Sequence, residues 1–298
     1  MPLQRMHPDE VQSDATVVRR LLQRQFPKWA HLPIEPVESG GTDNALYRLG
    51  DTLVARLPRV PGAAAQIEME EHWLPTLAPH LPLVIPEPVA AGQPDAGYPF
   101  IWAVYRWLDG TDGTAAGLAD PDQAARALAR FIRALWTIDP TGGFKSGRGG
   151  PLIQRDAFAR VGIATLPDSF NKAALTRAWD RALAAPPWDR PPVWIHGDLH
   201  PANMLVVHGD IHAILDFSCL GLGDPATDVM AAWNVLPART WPVFREVLAV
   251  DDATWDRARG WSLSMWAGGF DYYLHTNPVF IRMARFALGQ ILEEVAHA

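Results

Sequence analysis

The segment His196-Gly-Asp-Leu-His-Pro-Ala-Asn203, with Asp216-Phe217 after it, sets three oxygen-bearing side chains in an order that phosphoryl transfer requires. That reaction needs a carboxylate to take the proton of the attacking hydroxyl, and hard oxygen ligands for Mg²⁺ on the nucleotide phosphates. Asp198 fits the first role, and Asn203 and Asp216 fit the second. His196 and His200 suit holding the loop by hydrogen bonds better than metal or base chemistry. A second His-Gly-Asp, at His208 to Asp210, is followed five places on by Leu215 and offers no further ligand, so only the first copy has the catalytic form.

These residues need elements to place them. Val193-Trp194-Ile195 reads as a short apolar strand that projects Asp198 at its end, while Pro201 stiffens the return to Asn203. Apolar runs at Met204 to Val207 and Ile211 to Leu215 flank His208-Gly209-Asp210, a tight-turn sequence, and such a hairpin carries Asp216 back beside Asn203. Asp228, in the first turn of a helix expected over 228–236, is placed to cap its N–H groups. Asp224 is placed to brace the catalytic loop. Cys219 reads as a buried, inert thiol.

The forms HGDLHPANML and LDFSCLGLGDPATDVMAAW resemble the aminoglycoside phosphotransferase family, with weaker likeness over 40–59, 66–77 and 98–110. The resemblance implies an α+β, two-lobed protein-kinase-like fold. A small β-rich N-terminal lobe, 1–108, binds nucleotide, and a larger, mainly helical lobe, 109–298, carries catalysis and the acceptor. It implies transfer of the γ-phosphoryl of ATP or GTP, with Mg²⁺, to a hydroxyl of a small molecule such as an aminoglycoside, and hence antibiotic resistance as one role. Ser218 stands where the protein-kinase DFG triplet has Gly.

In the N-terminal part, helical spacing over 14–26 predicts an amphipathic opening helix, and β-like runs follow at 34–38, 45–49 and 52–57. The junction holding Gly40, Gly41 and Thr42 stands where the resemblance puts the phosphate-covering loop; it lacks the GxGxxG form, but small residues let backbone N–H groups approach phosphates. Arg56 occupies the strand where kinases usually carry a phosphate-contacting Lys, and a planar guanidinium is no equivalent of an ammonium. On the helix expected over 63–77, Glu70 shares a face with Ile67 and Leu74, and a carboxylate there needs a cation, for which Arg56 is the candidate. Glu71 has nearly the same geometry; the resemblance of QIEMEEHWLP favours Glu70. The apolar strand 100–108 would lead to the hinge, with backbone groups of Tyr105, Arg106, Trp107 and Leu108 meeting the adenine edge.

At 298 residues, 48% hydrophobic and 20% charged, the chain is long enough for two lobes with cores of their own. The net charge of −7 argues against nucleic acid as partner. No apolar stretch is long enough to span a bilayer, the N-terminus lacks a signal-peptide core, and the single cysteine fits a reducing compartment, so cytoplasm is the expectation. Asp251, Asp252, Asp256 and Asp271, among Trp255, Trp261, Trp266, Tyr272 and Tyr273, are candidates for binding a polycationic sugar. The Gly-rich segment 142–150 reads as a connector that could order over substrate. Two alternatives remain: a catalytically silent nucleotide-binding module, and a two-metal phosphoesterase built on Asp198, His200, Asp224 and Asp228, which would leave Asn203 and Asp216 without a task.

Overall fold

The computed structural model describes residues 9–37 and 43–297. The α+β chain forms two compact units, the first running to residue 109 without 80–83, the second made of 80–83 and everything from 110.

In the first unit, α1 (Ala15–Gln25) starts where the Asp14 carboxylate accepts the amides of Thr16 and Val17, both at 2.8 Å. Strands β1 (Ile34–Val37), β2 (Asn44–Leu49) and β3 (Leu53–Pro58), then α2 (Pro61–Leu77), β4 (Pro88–Gly92) and β5 (Trp102–Arg106), complete the unit. The sheet is antiparallel with order β1-β2-β3-β5-β4, which makes β3 and β5 interior strands. Gly50, at φ 57°, makes the β2–β3 turn. On one face Val18, Leu21 and Leu22 of α1 pack with Tyr47, Leu57, Trp102 and Val104; on the other, Ile67 of α2 packs with Ala103 and Tyr105. Arg56 and Tyr105 therefore lie on strands whose backbone is paired on both sides, a rigid platform for side chains on the α2 face.

The second unit opens with β6 (Thr111–Asp112) and α3 (Pro121–Thr137), whose Asp120 carboxylate caps the amides of Asp122 and Gln123. Helices α4 (Asp156–Thr165) and α5 (Lys172–Ala184) lead to β7 (Val193–Ile195), β8 (Met204–Val207), β9 (Asp210–Ile214) and β10 (Gly221–Gly223). Then follow α6 (Ala226–Val229), α7 (Ala231–Val235), α8 (Trp241–Leu248), α9 (Asp252–Tyr273) and α10 (Pro278–His297). The helix expected over 228–236 is thus two short helices that break at Met230. The β8–β9 turn has His208 at φ 52° and Gly209 at φ 87°, the two positive values of a turn whose twist matches paired strands. Long α9 is the spine of the unit. Gly162 of α4 lies so close to it that an added Cβ would sit 2.6 Å from the Ala267 backbone.

Candidate active site

In the first unit, Nη1 of Arg56 donates to both carboxylate oxygens of Glu70 at 2.7 Å, and Nη2 donates to Gln66 Oε1 at 3.2 Å. The Tyr105 hydroxyl donates to Glu70 Oε2 at 2.7 Å. Glu70 is fully buried and Arg56 nearly so, whereas Glu68 and Glu71 are exposed. Helix geometry thus selects Glu70 of the two candidates. A buried ion pair with both oxygens satisfied costs about 3–5 kcal/mol to break, because the survivor is left charged in a poor solvent. The pair fixes the cation on the sheet.

Tyr105 turns its side chain to Glu70. The Arg106 and Trp107 amides are taken by the carbonyls of Glu87 (3.0 Å) and Thr52 (2.9 Å). The Leu108 amide makes no hydrogen bond within the described residues, so of the amides at 106 to 108 it is the one free for a base edge. Gly40, Gly41 and Thr42 lie outside the described residues.

In the second unit, β7 pairs antiparallel with β10 and releases the chain into the loop of Asp198. Buried His196 clips that loop: its Nδ1 accepts the Asp198 amide at 3.2 Å and its Nε2 donates to the Leu215 carbonyl at 3.0 Å. Burial pushes its pKa down to about 4, so the ring is neutral, as one donor and one acceptor require. Leu215 in turn donates its amide to the Asn203 carbonyl at 2.8 Å. Asp198, Asn203 and the residue before Asp216 are thereby joined in one hydrogen-bonded unit.

Asn203 donates Nδ2 to the Asp198 carbonyl at 2.9 Å, and its Oδ1 has no partner among the described residues. Asp216 accepts the Ser218 amide on Oδ1 at 3.2 Å and keeps Oδ2 without a partner among the described residues. Its φ of 58° is left-handed, a conformation that costs a non-glycine residue of order 1 kcal/mol and is concentrated at functional sites. An amide oxygen and a carboxylate oxygen suit a hard cation such as Mg²⁺, which binds few protein ligands and completes its shell with phosphate and water. No cluster of three or more His, Cys, Asp or Glu ligands exists among the described residues, so a self-sufficient protein cage is absent there.

Burial raises the pKa of Asp198, but the Arg148 guanidinium and then His200 outweigh it and hold the carboxyl well below the usual range. Arg148 takes Oδ1. Among the described residues Oδ2 has only marginal neighbours, Asn203 Nδ2 at 3.5 Å and His200 Nε2 at 3.6 Å.

Two carboxylates exchange their expected tasks. Asp228 reaches back to accept the amides of His196 at 3.1 Å and Gly197 at 2.8 Å, bracing the loop. Burial raises its pKa to about 7 against the pull of those amides. Asp224 instead accepts the Ala226 amide at 2.9 Å and is gripped by Arg257 at 2.7 and 3.1 Å. Behind the loop, Asn234 donates to the Leu199 carbonyl at 2.9 Å while its oxygen accepts Ser262 and Trp266 at 2.8 and 2.7 Å. Burial pushes the Cys219 thiol up to about 11, which makes it inert.

The sequence model of the phosphotransferase enzyme family, APH, matches residues 33–261, most of the chain. The chain belongs to that family. Among solved structures, this phosphotransferase is similar to the GDP and kanamycin complex of APH(2″)-IIia, with TM-score 0.71 and 18% identity over 94% of this chain and 98% of that one. It is also similar to macrolide 2′-phosphotransferase MphH from Brachybacterium faecium, with TM-score 0.62 and 25% identity over 92% and 97%. A curated relative, the uncharacterized protein YcbJ of Bacillus subtilis (strain 168), is 28% identical over 50% of this chain, a match that spans 48% of YcbJ.

The carboxylates expected to recognise a polycation are mostly engaged elsewhere. Asp251 caps α9 through the Thr254 amide (2.7 Å), Asp252 pairs with Arg245, and Asp256 pairs with Arg259 (2.5 Å) and Arg181 (3.2 Å). Trp255 packs against Trp233 and donates to Glu294, and Trp266 serves Asn234. Sequence reasoning missed Arg148, Asn234 and the Tyr105 hydroxyl. A lone Arg between glycines in Ser146-Gly-Arg-Gly-Gly150 was the available signal for the first.

Proposed function

We propose that this phosphotransferase moves the γ-phosphoryl group of ATP or GTP to a hydroxyl of a small molecule, with Mg²⁺. The observation that carries the reading is the unit formed by Asp198, Asn203 and the chain entering Asp216, clipped by His196 and braced by Asp228. Asp198 Oδ2 accepts the hydrogen bond of the acceptor hydroxyl and aims its oxygen at the γ-phosphorus. An O–P bond forms there, the bond from the γ-phosphorus to the β-γ bridging oxygen breaks, the proton passes to Asp198, and nucleoside diphosphate leaves. The depressed pKa of Asp198 suits a loose transition state, in which the hydroxyl needs orientation more than early deprotonation.

Asn203 Oδ1 and Asp216 Oδ2 would hold the metal, which neutralises charge on the phosphate oxygens when bound. Arg56, held by Glu70, supplies the cation for the nucleotide phosphates, helped by Gly40, Gly41 and Thr42, and Leu108 supplies a backbone donor for the base. The first unit so contributes nucleotide recognition and the second the chemistry. A cytoplasmic setting, where nucleoside triphosphates are available, goes with this reading.

A two-metal phosphoesterase finds no support, because Asp224 is committed to Arg257 and Asp228 to two loop amides. For the acceptor, the pairing of Asp252 and Asp256 on α9 favours a hydroxylated molecule of low charge over one recognised by several carboxylates. Relatives solved with kanamycin or named for macrolides justify a panel containing both. Thermal unfolding with ATP and GTP, with Mg²⁺ or EDTA, tests the nucleotide; diphosphate release across aminoglycosides, macrolides, amino alcohols and sugars tests the acceptor. A Mg²⁺-dependent stabilisation by at least one nucleotide is expected. Its absence for both overturns the proposal.

A further inference from the structure

Apart from Arg148, residues 142–150 take no part in the site described above, yet the fold stitches them onto it. Leu222 of β10 donates its amide to the Phe144 carbonyl at 2.7 Å and accepts the Ser146 amide at 3.1 Å, so Lys145 runs parallel to β10. The Asp224 amide donates to the Gly149 carbonyl at 2.9 Å and closes the far end. Ser146 donates its hydroxyl to the Cys219 carbonyl at 2.7 Å and accepts the Arg148 amide at 3.0 Å. Glycine permits this approach: a Cβ on Gly221, at φ 153°, would lie 2.5 Å from the Ser146 nitrogen, and one on Gly149, at φ 79°, 2.5 Å from Ile195 Cδ1.

The strap delivers one side chain to the centre. Arg148 Nη1 donates to the Gly197 carbonyl at 3.0 Å and to Asp198 Oδ1, and it rests against the Met265 sulfur at 3.4 Å. Contacts to the carboxylate and to the carbonyl just before it fix the carboxylate's direction. The Arg148 side chain is 33% exposed and that of Asp198 16%, so the pair is partly buried. Orientation of a reacting group matters steeply, since a misplacement of about 1 Å costs on the order of a hundredfold in rate.

We propose that Arg148 is a positioning residue of the reaction, holding Oδ1 of Asp198 so that Oδ2 faces the acceptor hydroxyl. This rests on the reading of Asp198 as the group that meets the acceptor.

The test uses the full chain and Mg²⁺-dependent release of ADP or GDP, with water as acceptor or with any acceptor from the panel. Arg148→Ala should lower kcat about a hundredfold while the nucleotide KM stays within about twofold, the size of change that uniform binding loss would exceed. Arg148→Lys should keep part of the rate, and added guanidinium should restore part of the Arg148→Ala rate without accelerating wild type. Lys145→Ala, on the exposed side of the strap, should match wild type. Wild-type turnover equalled by Arg148→Ala overturns the role of Arg148 alone, as does a loss that guanidinium leaves unrepaired and Arg148→Lys shares in full. A wild type without Mg²⁺-dependent turnover overturns the phosphotransfer reading and this inference with it.

Discussion

Removing the His196 ring should weaken the fold and change how stability depends on pH. His196→Ala orphans the Asp198 amide and the Leu215 carbonyl, at about 1–3 kcal/mol for each buried group left unpaired. It also deletes the edge-on contact with Phe217, whose centroid is 4.7 Å away, worth roughly 0.5–1.5 kcal/mol. Taken together these losses come to about 5 kcal/mol near pH 8. The ring's pKa is about 4 in the fold and 6.5 ordinarily, so the unfolded chain binds the extra proton between those values. Its contribution is therefore fully present above 6.5 and is lost as pH falls toward 4, a change of roughly 3 kcal/mol. Urea denaturation of wild type and variant from pH 4 to 8 should show the difference shrinking from about 5 to about 2 kcal/mol as pH falls. A difference that stays constant over that range refutes the neutral, two-bond clip.

Glu70→Gln should destabilise the first unit by about 3 kcal/mol, as loss of one partner of a buried pair does, and raise the nucleotide KM; an unchanged denaturation midpoint would count against the pairing with Arg56. Asp228→Asn replaces one of two acceptor oxygens by an NH₂ group facing an amide donor, so stability should drop by about 2–4 kcal/mol and kcat should fall with the displaced loop. Wild-type kcat in that variant would show that Asp228 does not brace the loop.

What the sequence made legible was short in range or set by periodicity. The His208-Gly209 pair announced its turn, because those residues tolerate positive φ. Helix facing narrowed the partner of Arg56 to Glu70 or Glu71, and the resemblance of QIEMEEHWLP chose Glu70, the one the fold buries. Asp224 and Asp228 were interchanged because local pattern rewards a cap, while the amides of His196 and Gly197 that claim Asp228 are more than thirty residues away. Two of the α9 acids, Asp252 and Asp256, looked free for a cation in part because Arg245 and Arg181, which reach them, lie on other helices. Arg148 was invisible for the same reason: which loop crosses the loop of Asp198 depends on glycine packing at 149 and 221.

The central claim is that Asp198 receives the proton of the attacking hydroxyl. Asp198→Asn, assayed by diphosphate release with Mg²⁺ and an acceptor from the panel, measures it most directly. Nucleotide affinity should be unchanged and kcat should fall by about a hundredfold or more, within the range of general-base contributions. A variant that binds nucleotide and turns over at the wild-type rate would contradict the account.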